Sequence, residues 1–143
     1  MMPPSTLRIA AFLLPLALLL TAGCGGDLPE MIPAEGMVTF NGGPPPAPGS
    51  VALQPIEPVP GYSYRPASGR FNETGRFVIT SWEPGDGVGP GKYRVQLECW
   101  KSPPNEATGS AGVSHIPAGF NLPDLEVPPN SPKLQLKFEV PAH

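Results

Sequence analysis

Proline decides first what this chain can become. Of its 143 residues 23 are proline, and they interrupt nearly every window long enough for an ordinary helix. Each removes a backbone donor and crowds the preceding turn, at about 3 kcal/mol in a helix interior. Long helices are therefore excluded from the body of the chain. The prolines gather in stretches 42–49, 55–66, 103–104 and 128–132, and the segments between them alternate apolar with polar side chains. That period of two marks half-buried strands. Proline and the 17 glycines together exceed a quarter of the residues, a level shared with disordered segments. The alternation is what argues for a folded body.

The first residues carry a different signal. After the single cation Arg8, Ile9 to Leu20 is a twelve-residue apolar run containing Pro15. A spanning helix needs about 20 apolar residues, so residues 1–23 read as a signal peptide rather than a membrane span. The run closes in Leu20-Thr21-Ala22-Gly23-Cys24. This resembles the lipobox of bacterial lipoproteins, although Thr21 stands where that family usually has Leu, Val or Ile. The resemblance implies a diacylglyceryl group on the Cys24 thiol, cleavage just before it, and acylation of the new amino terminus. The alternative is ordinary secretion, with cleavage after Ala22 or Gly23 and Cys24 unmodified. Two or three acyl chains, at about 0.8 kcal/mol per buried methylene, hold a protein to a bilayer essentially permanently.

Residues 24–31 then form the lipidated cysteine and a short tether, and residues 32–143 the domain. At about 3.3 Å per residue such a tether keeps the domain near the membrane surface. The expected location is the cell envelope, facing the periplasm or the cell surface. Gly25 rather than Asp follows Cys24, so the usual inner-membrane retention signal is missing, which favours the outer membrane in a cell that has that sorting system.

Removing residues 1–23 leaves 143 − 23 = 120 residues, and with Arg8 gone the charge becomes 8 − 12 = −4. The remaining cations are scattered singly from Arg65 to Lys137. No basic run is present to meet nucleic acid or an anionic lipid face, and the membrane bond is expected to be the lipid alone. Cys99 is the only cysteine left beside Cys24. Once Cys24 is lipidated an internal disulfide is excluded, and on the apolar phase of a strand Cys99 reads as a buried, inert thiol.

Along the domain, Val38 and Phe40 open a first strand that ends in the tight turn Asn41-Gly42. Val51 and Leu53 mark a second, which Pro55 is expected to end. Tyr62 to Arg65 is a candidate edge strand. Arg70–Glu73 and Arg76–Thr80, joined at Thr74-Gly75, read as a hairpin whose arms pair with each other. Lys92 to Trp100 is the clearest strand, with Tyr93, Val95, Leu97 and Cys99 on one face. Leu125 and Val127 suggest another. Lys133 to Val140 repeats the alternation, with Leu134, Leu136, Phe138 and Val140 inward. The pattern predicts an all-β domain, a single sandwich of about seven antiparallel strands.

Three pieces taken together, Glu35-Gly-Met-Val-Thr-Phe-Asn-Gly-Gly-Pro44, Asn72-Glu-Thr-Gly-Arg-Phe77 and Gly85-Asp-Gly-Val-Gly-Pro-Gly-Lys-Tyr-Arg-Val95, followed by Ile116-Pro117, resemble a known family. They look like the carboxypeptidase regulatory-like, or transthyretin-like, domains that some environmental bacteria carry as small lipoproteins. The resemblance implies a Greek-key sandwich and says almost nothing of activity. It weakens after Trp100, where Ile-Pro-Ala-Gly-Phe120 replaces the family's Ile-Pro-x-Lys-Tyr, so the pairing of residues 101–127 is left open.

Residues that could carry chemistry are few. Gly91-Lys92 lacks the glycine of a phosphate loop, since Asp86 stands five places before Gly91, and no Ser or Thr follows the lysine. His115 and His143 have no ligand spacing to each other or to Cys99. Glu83 and Asp86 lack the Asp-x-Asp pattern of a calcium loop and read as solvated turn carboxylates. Ser114 and His115 are adjacent, so their side chains point apart. The transthyretin-like hydrolases carry catalytic histidines and a terminal Tyr-Arg-Gly-Ser, which this chain lacks. Trp82 and Trp100, with Tyr62 and Tyr64, could stack on a sugar or grip a partner, though packing under the sandwich rim is the simpler expectation for the tryptophans.

The sequence therefore leads to a lipid-anchored, non-catalytic accessory, binding or structural module. Neither metal nor cofactor is expected, and the partner is an envelope protein or glycan left unidentified. An envelope hydrolase using His115 and a structural spacer remain the competing readings.

Overall fold

The computed structural model describes residues 30–61 and 65–141. The signal peptide, Cys24 and most of the tether lie outside the described residues, as do Tyr62, Tyr64 and His143. Every regular element among the described residues is a strand. They are β1 (Ala34–Phe40), β2 (Gly49–Pro58), β3 (Ala67–Phe71), β4 (Arg76–Val78), β5 (Gly91–Glu98), β6 (Trp100–Ser102), β7 (Val113–Ser114), β8 (Leu125–Val127) and β9 (Leu134–Val140). No helix among the described residues is long and apolar enough to cross a membrane.

Two sheets make the body, a three-stranded one in the order β4-β1-β9 and a four-stranded one in the order β3-β2-β5-β8; β6 and β7 form a small third. Their alternation supplies a single core. Ala34, Val38, Phe77, Leu136, Phe138 and Val140 from the first sheet meet Val51, Leu53, Phe71, Tyr93, Val95 and Val127 from the second. The Phe77 and Phe138 rings stack with centroids 5.8 Å apart. At about 1.5–3 kcal/mol per fully buried large apolar side chain, this common core is the main source of stability. The domain is thus all-β and sandwich-like, as the spacing predicts.

Nine strands are present among the described residues instead of about seven. Two of the extra pieces come from the 100–114 stretch, where β6 and β7 pair briefly around a bulge. The partners also differ from expectation. β1 and β9 run parallel, in register from Ala34↔Leu134 to Phe40↔Val140, whereas the other strand pairs are antiparallel. A parallel pair needs a long crossover, which nearly the whole domain provides here.

The hairpin expected across Thr74-Gly75 does not form as a ladder. β3 pairs with β2 and β4 with β1, so the chain passes from one sheet to the other at this turn. Asn72 causes the change of direction, because its side-chain oxygen accepts the N–H of Thr74 at 3.0 Å and of Arg76 at 3.1 Å. Gly75, at φ +90°, lies so close to the Val38 carbonyl that a Cβ would collide with it. Between the two arms there are the bond from Asn72 N–H to the Arg76 carbonyl at 3.1 Å and the isolated bridge Ser68↔Thr80.

Pro55 does not end β2 either. The ladder continues to Pro58 through a bulge between Pro55 and Glu57. The proline is tolerated because its nitrogen is turned away from β5, so the β2–β5 ladder does not need the N–H it lacks. Asn41 and Gly42, at φ 51° and 77°, make the tight turn the sequence predicts. Glu139 ties that turn to β9, accepting the Gly42 N–H at 2.6 Å and the Thr39 hydroxyl.

Candidate functional site

The loop after β4 is built by one carboxylate. Asp86 accepts the N–H of Ser81 at 2.8 Å on one oxygen, and those of Trp82 and Glu83 at 2.9 and 3.0 Å on the other. It is a structural cap rather than the solvated turn carboxylate read from the sequence. Partial burial works to raise its pKa, but these backbone donors outweigh it and hold the carboxyl below its ordinary value. Because the folded value is the lower one, Asp86 stabilises the fold above the unfolded pKa of about 3.9 and loses that contribution as pH falls through the folded value. Asp86→Ala should cost about 0.5–2 kcal/mol at neutral pH, as truncation of a helix-capping side chain to Ala does. In urea titrations the gap to wild type should narrow below about pH 4; a gap independent of pH would refute the assignment.

The same loop presents Trp82, which is 41% exposed. It does not pack under the rim. Arg65 lies with its guanidinium carbon 3.8 Å from the ring centroid and donates its Nε–H to the Ser81 carbonyl at 2.8 Å. The indole face is therefore covered by a cation, an arrangement of about 0.5–1 kcal/mol at an exposed site.

Cys99 is fully buried, and its thiol points at the Ala47 carbonyl at 3.4 Å. Burial pushes its pKa up against the opposing effect of that hydrogen bond, so the thiol stays protonated and unreactive at neutral pH. His115 joins the structure through its main chain, donating its N–H to the Cys99 carbonyl at 2.8 Å. Among the described residues no three of His, Cys, Asp and Glu gather as a metal site would require. Glu83 enters the loop as a backbone donor to Asp86.

Cations separated in the sequence do converge. Arg70, Arg76 and Lys137 line one open cleft of about 800 Å³ on the first sheet, beside Met37 and Val78. Glu35 also lines it, its carboxyl held below the ordinary range by hydrogen bonds from Lys133 and Gln135. Single-residue spacing could not reveal this grouping, because β3, β4 and β9 bring the three cations together from separate parts of the chain.

Trp100 marks a second cleft, of about 420 Å³, along the outer edge of β5. β8 pairs with β5 only from Gly91↔Val127 to Tyr93↔Leu125. The next contact on that edge is the bond from His115 to Cys99. Between these two points five residues of β5, 94–98, face nine residues, 116–124. The four-residue surplus bows outward through a turn in which Gly119 takes φ +79° and Phe120 N–H reaches the Pro117 carbonyl at 3.1 Å. What remains is a slot in the sheet.

Hydrogen-bond parity fixes which groups face it. Ser68 exchanges both bonds with Thr80, at 3.0 and 2.8 Å, so it turns away from β2. Alternation then directs Ala67, Gly69 and Phe71 toward β2, and leaves Ser50, Ala52 and Gln54 to bond Glu98, Gln96 and Arg94. Tyr93, Val95 and Leu97 consequently turn their N–H and C=O groups to the opposite side. Tyr93 meets β8; Val95 and Leu97 open on the slot and have no backbone partner among the described residues. Ile116, Phe120 and Leu122 wall the slot with Trp100, and Gln96, Glu98 and Asn121 add polar groups. Comparison of the chain with known protein families, with curated proteins and with solved structures found no match.

Proposed function

We propose that this chain is a lipid-anchored protein of the bacterial cell envelope whose domain, a transthyretin-like Greek-key sandwich, works by binding rather than by catalysis. The observation that carries the anchor is the run Leu20-Thr21-Ala22-Gly23-Cys24 closing a short apolar segment. What supports binding is the character of the two clefts. One offers cations beside apolar side chains, the other backbone groups of Val95 and Leu97 that have no partner among the described residues, between aromatic and aliphatic walls. Neither brings a nucleophile to a base: the Ser114 hydroxyl donates to the Cys99 carbonyl at 3.3 Å, and the Cys99 thiol is buried. The absence of a retention Asp after Cys24 supports placement at the outer membrane.

In cells fed a palmitate analogue, the wild-type protein should be labelled and Cys24→Ser should lose essentially all label. Equal labelling of both, or a wild-type protein recovered unacylated from the medium, would remove the anchor.

A further inference from the structure

We infer that the slot beside β5 receives an extended segment of a partner protein, which pairs its backbone with Val95 and Leu97 and so completes the interrupted sheet. This rests on the reading of the domain as a binding module and names the class of partner.

On one flank of the slot β8 supplies a paired strand as far as Tyr93, and on the other His115 bonds Cys99. Between them Val95 is buried, yet its outward N–H and C=O, like those of Leu97, have no partner among the described residues. Buried backbone polar groups are nearly always paired, and an open strand edge is a template for another strand. Two residues set two apart present donor and acceptor pairs on a repeat of about 6.8 Å. Another extended main chain has the same repeat, whereas a saccharide has no reason to match it. Edge pairing supplies affinity in such recognition, and alternate side chains supply selectivity.

The walls state which side chains fit. Along β5, Val95 and Leu97 face inward while Arg94, Gln96 and Glu98 face outward and are exposed. On the inner side an incoming strand would set an apolar residue among Ile116, Phe120 and Leu122. On the outer side its neighbours would lie beside Gln96 and Glu98, so a lysine, an arginine or an uncharged polar residue suits there and a carboxylate does not. The recognised segment is therefore short, at most about 17 Å of strand opposite 94–98. It alternates apolar with basic or neutral polar residues.

The test uses the full acylated chain in detergent and a pool of capped pentapeptides. Positions 2 and 4 carry Val, Leu or Phe, and the others carry Thr, Gln or Lys. Hydrogen exchange of the Val95 and Leu97 amides should slow when the pool is added. The tightest peptide should weaken at least about tenfold when its two apolar residues are N-methylated, since this removes backbone donors and keeps the side chains. Phe120→Asp should weaken the unmodified peptide similarly, with unchanged exchange in β9 as the check on folding. Equal affinity of the N-methylated peptide would overturn the proposal, as would unchanged exchange at Val95 and Leu97. Protection by a linear trisaccharide in place of the peptides would overturn the peptide and leave the binding module standing. Loss of acyl labelling at Cys24 is a separate result that bears on the anchor alone.

Discussion

Phe77→Ala should lower the free energy of unfolding by about 3–5 kcal/mol, the range for emptying a buried aromatic site. Marginal domains hold only about 5–15 kcal/mol in all, so this one change brings the protein close to failure at warm temperatures. Phe77 is 3% exposed and stacks against Phe138 of β9 while belonging itself to β4. Gly36 lies against the Leu136 backbone, and β1 is laddered to β9 over its whole length, so β1 can shift little to close the void. Urea titration should show a lower midpoint with an unchanged slope. A loss under about 1 kcal/mol would mean that the site collapses freely and that β4 is not pinned to the core as the packing indicates.

Gly87→Ala should be comparably damaging for a different reason. Gly87 is buried with φ +98°, and a Cβ there would run into the carbonyl of Ile32 and the backbone of Pro33. Left-handed backbone costs a side-chain-bearing residue about 1–2 kcal/mol before any collision is counted. The collision falls on main chain, which cannot swing aside as a side chain would. Ile32, 2% exposed, exchanges two backbone bonds with Val88 at 2.9 and 3.0 Å. The variant should therefore release this segment from the core. Amide exchange at Ile32 and Val88 should accelerate far more than in β9, and uniform acceleration throughout the domain would argue against a local clash.

The strands themselves were legible because each writes its own period. β5 and β9 read directly from Tyr93-Val95-Leu97 and Leu136-Phe138-Val140, since one buried face leaves only one register for the apolar set. Partners were not legible. Nothing in Arg76-Phe77-Val78 says that it joins β1 rather than β3; Asn72 decides this by folding its amide back onto Thr74 and Arg76. Nor does Leu134–Val140 state that it lies parallel to Ala34–Phe40, because that depends on where the rest of the domain has taken the chain. Trp100 stood out as a candidate by type alone. The slot beside it was hidden, because it arises from a mismatch of four residues between β5 and the segment opposite. Trp82 was misjudged for want of Arg65, 17 positions earlier, whose guanidinium lets the indole sit outside the core.

The side-by-side placement of β1 and β9 sets the order in which the molecule can assemble. Until the last strand is released, β1 has only the three-residue β4 beside it, and the aromatic stack is missing one ring. The contact that finishes the sheet joins positions 100 apart. Closing so long a loop adds only slowly to the thermodynamic cost, but it delays the productive encounter. A nascent or exported chain therefore stays open along β1 until β9 is free to pair with it, and a protein lacking β9 has no route to a closed first sheet.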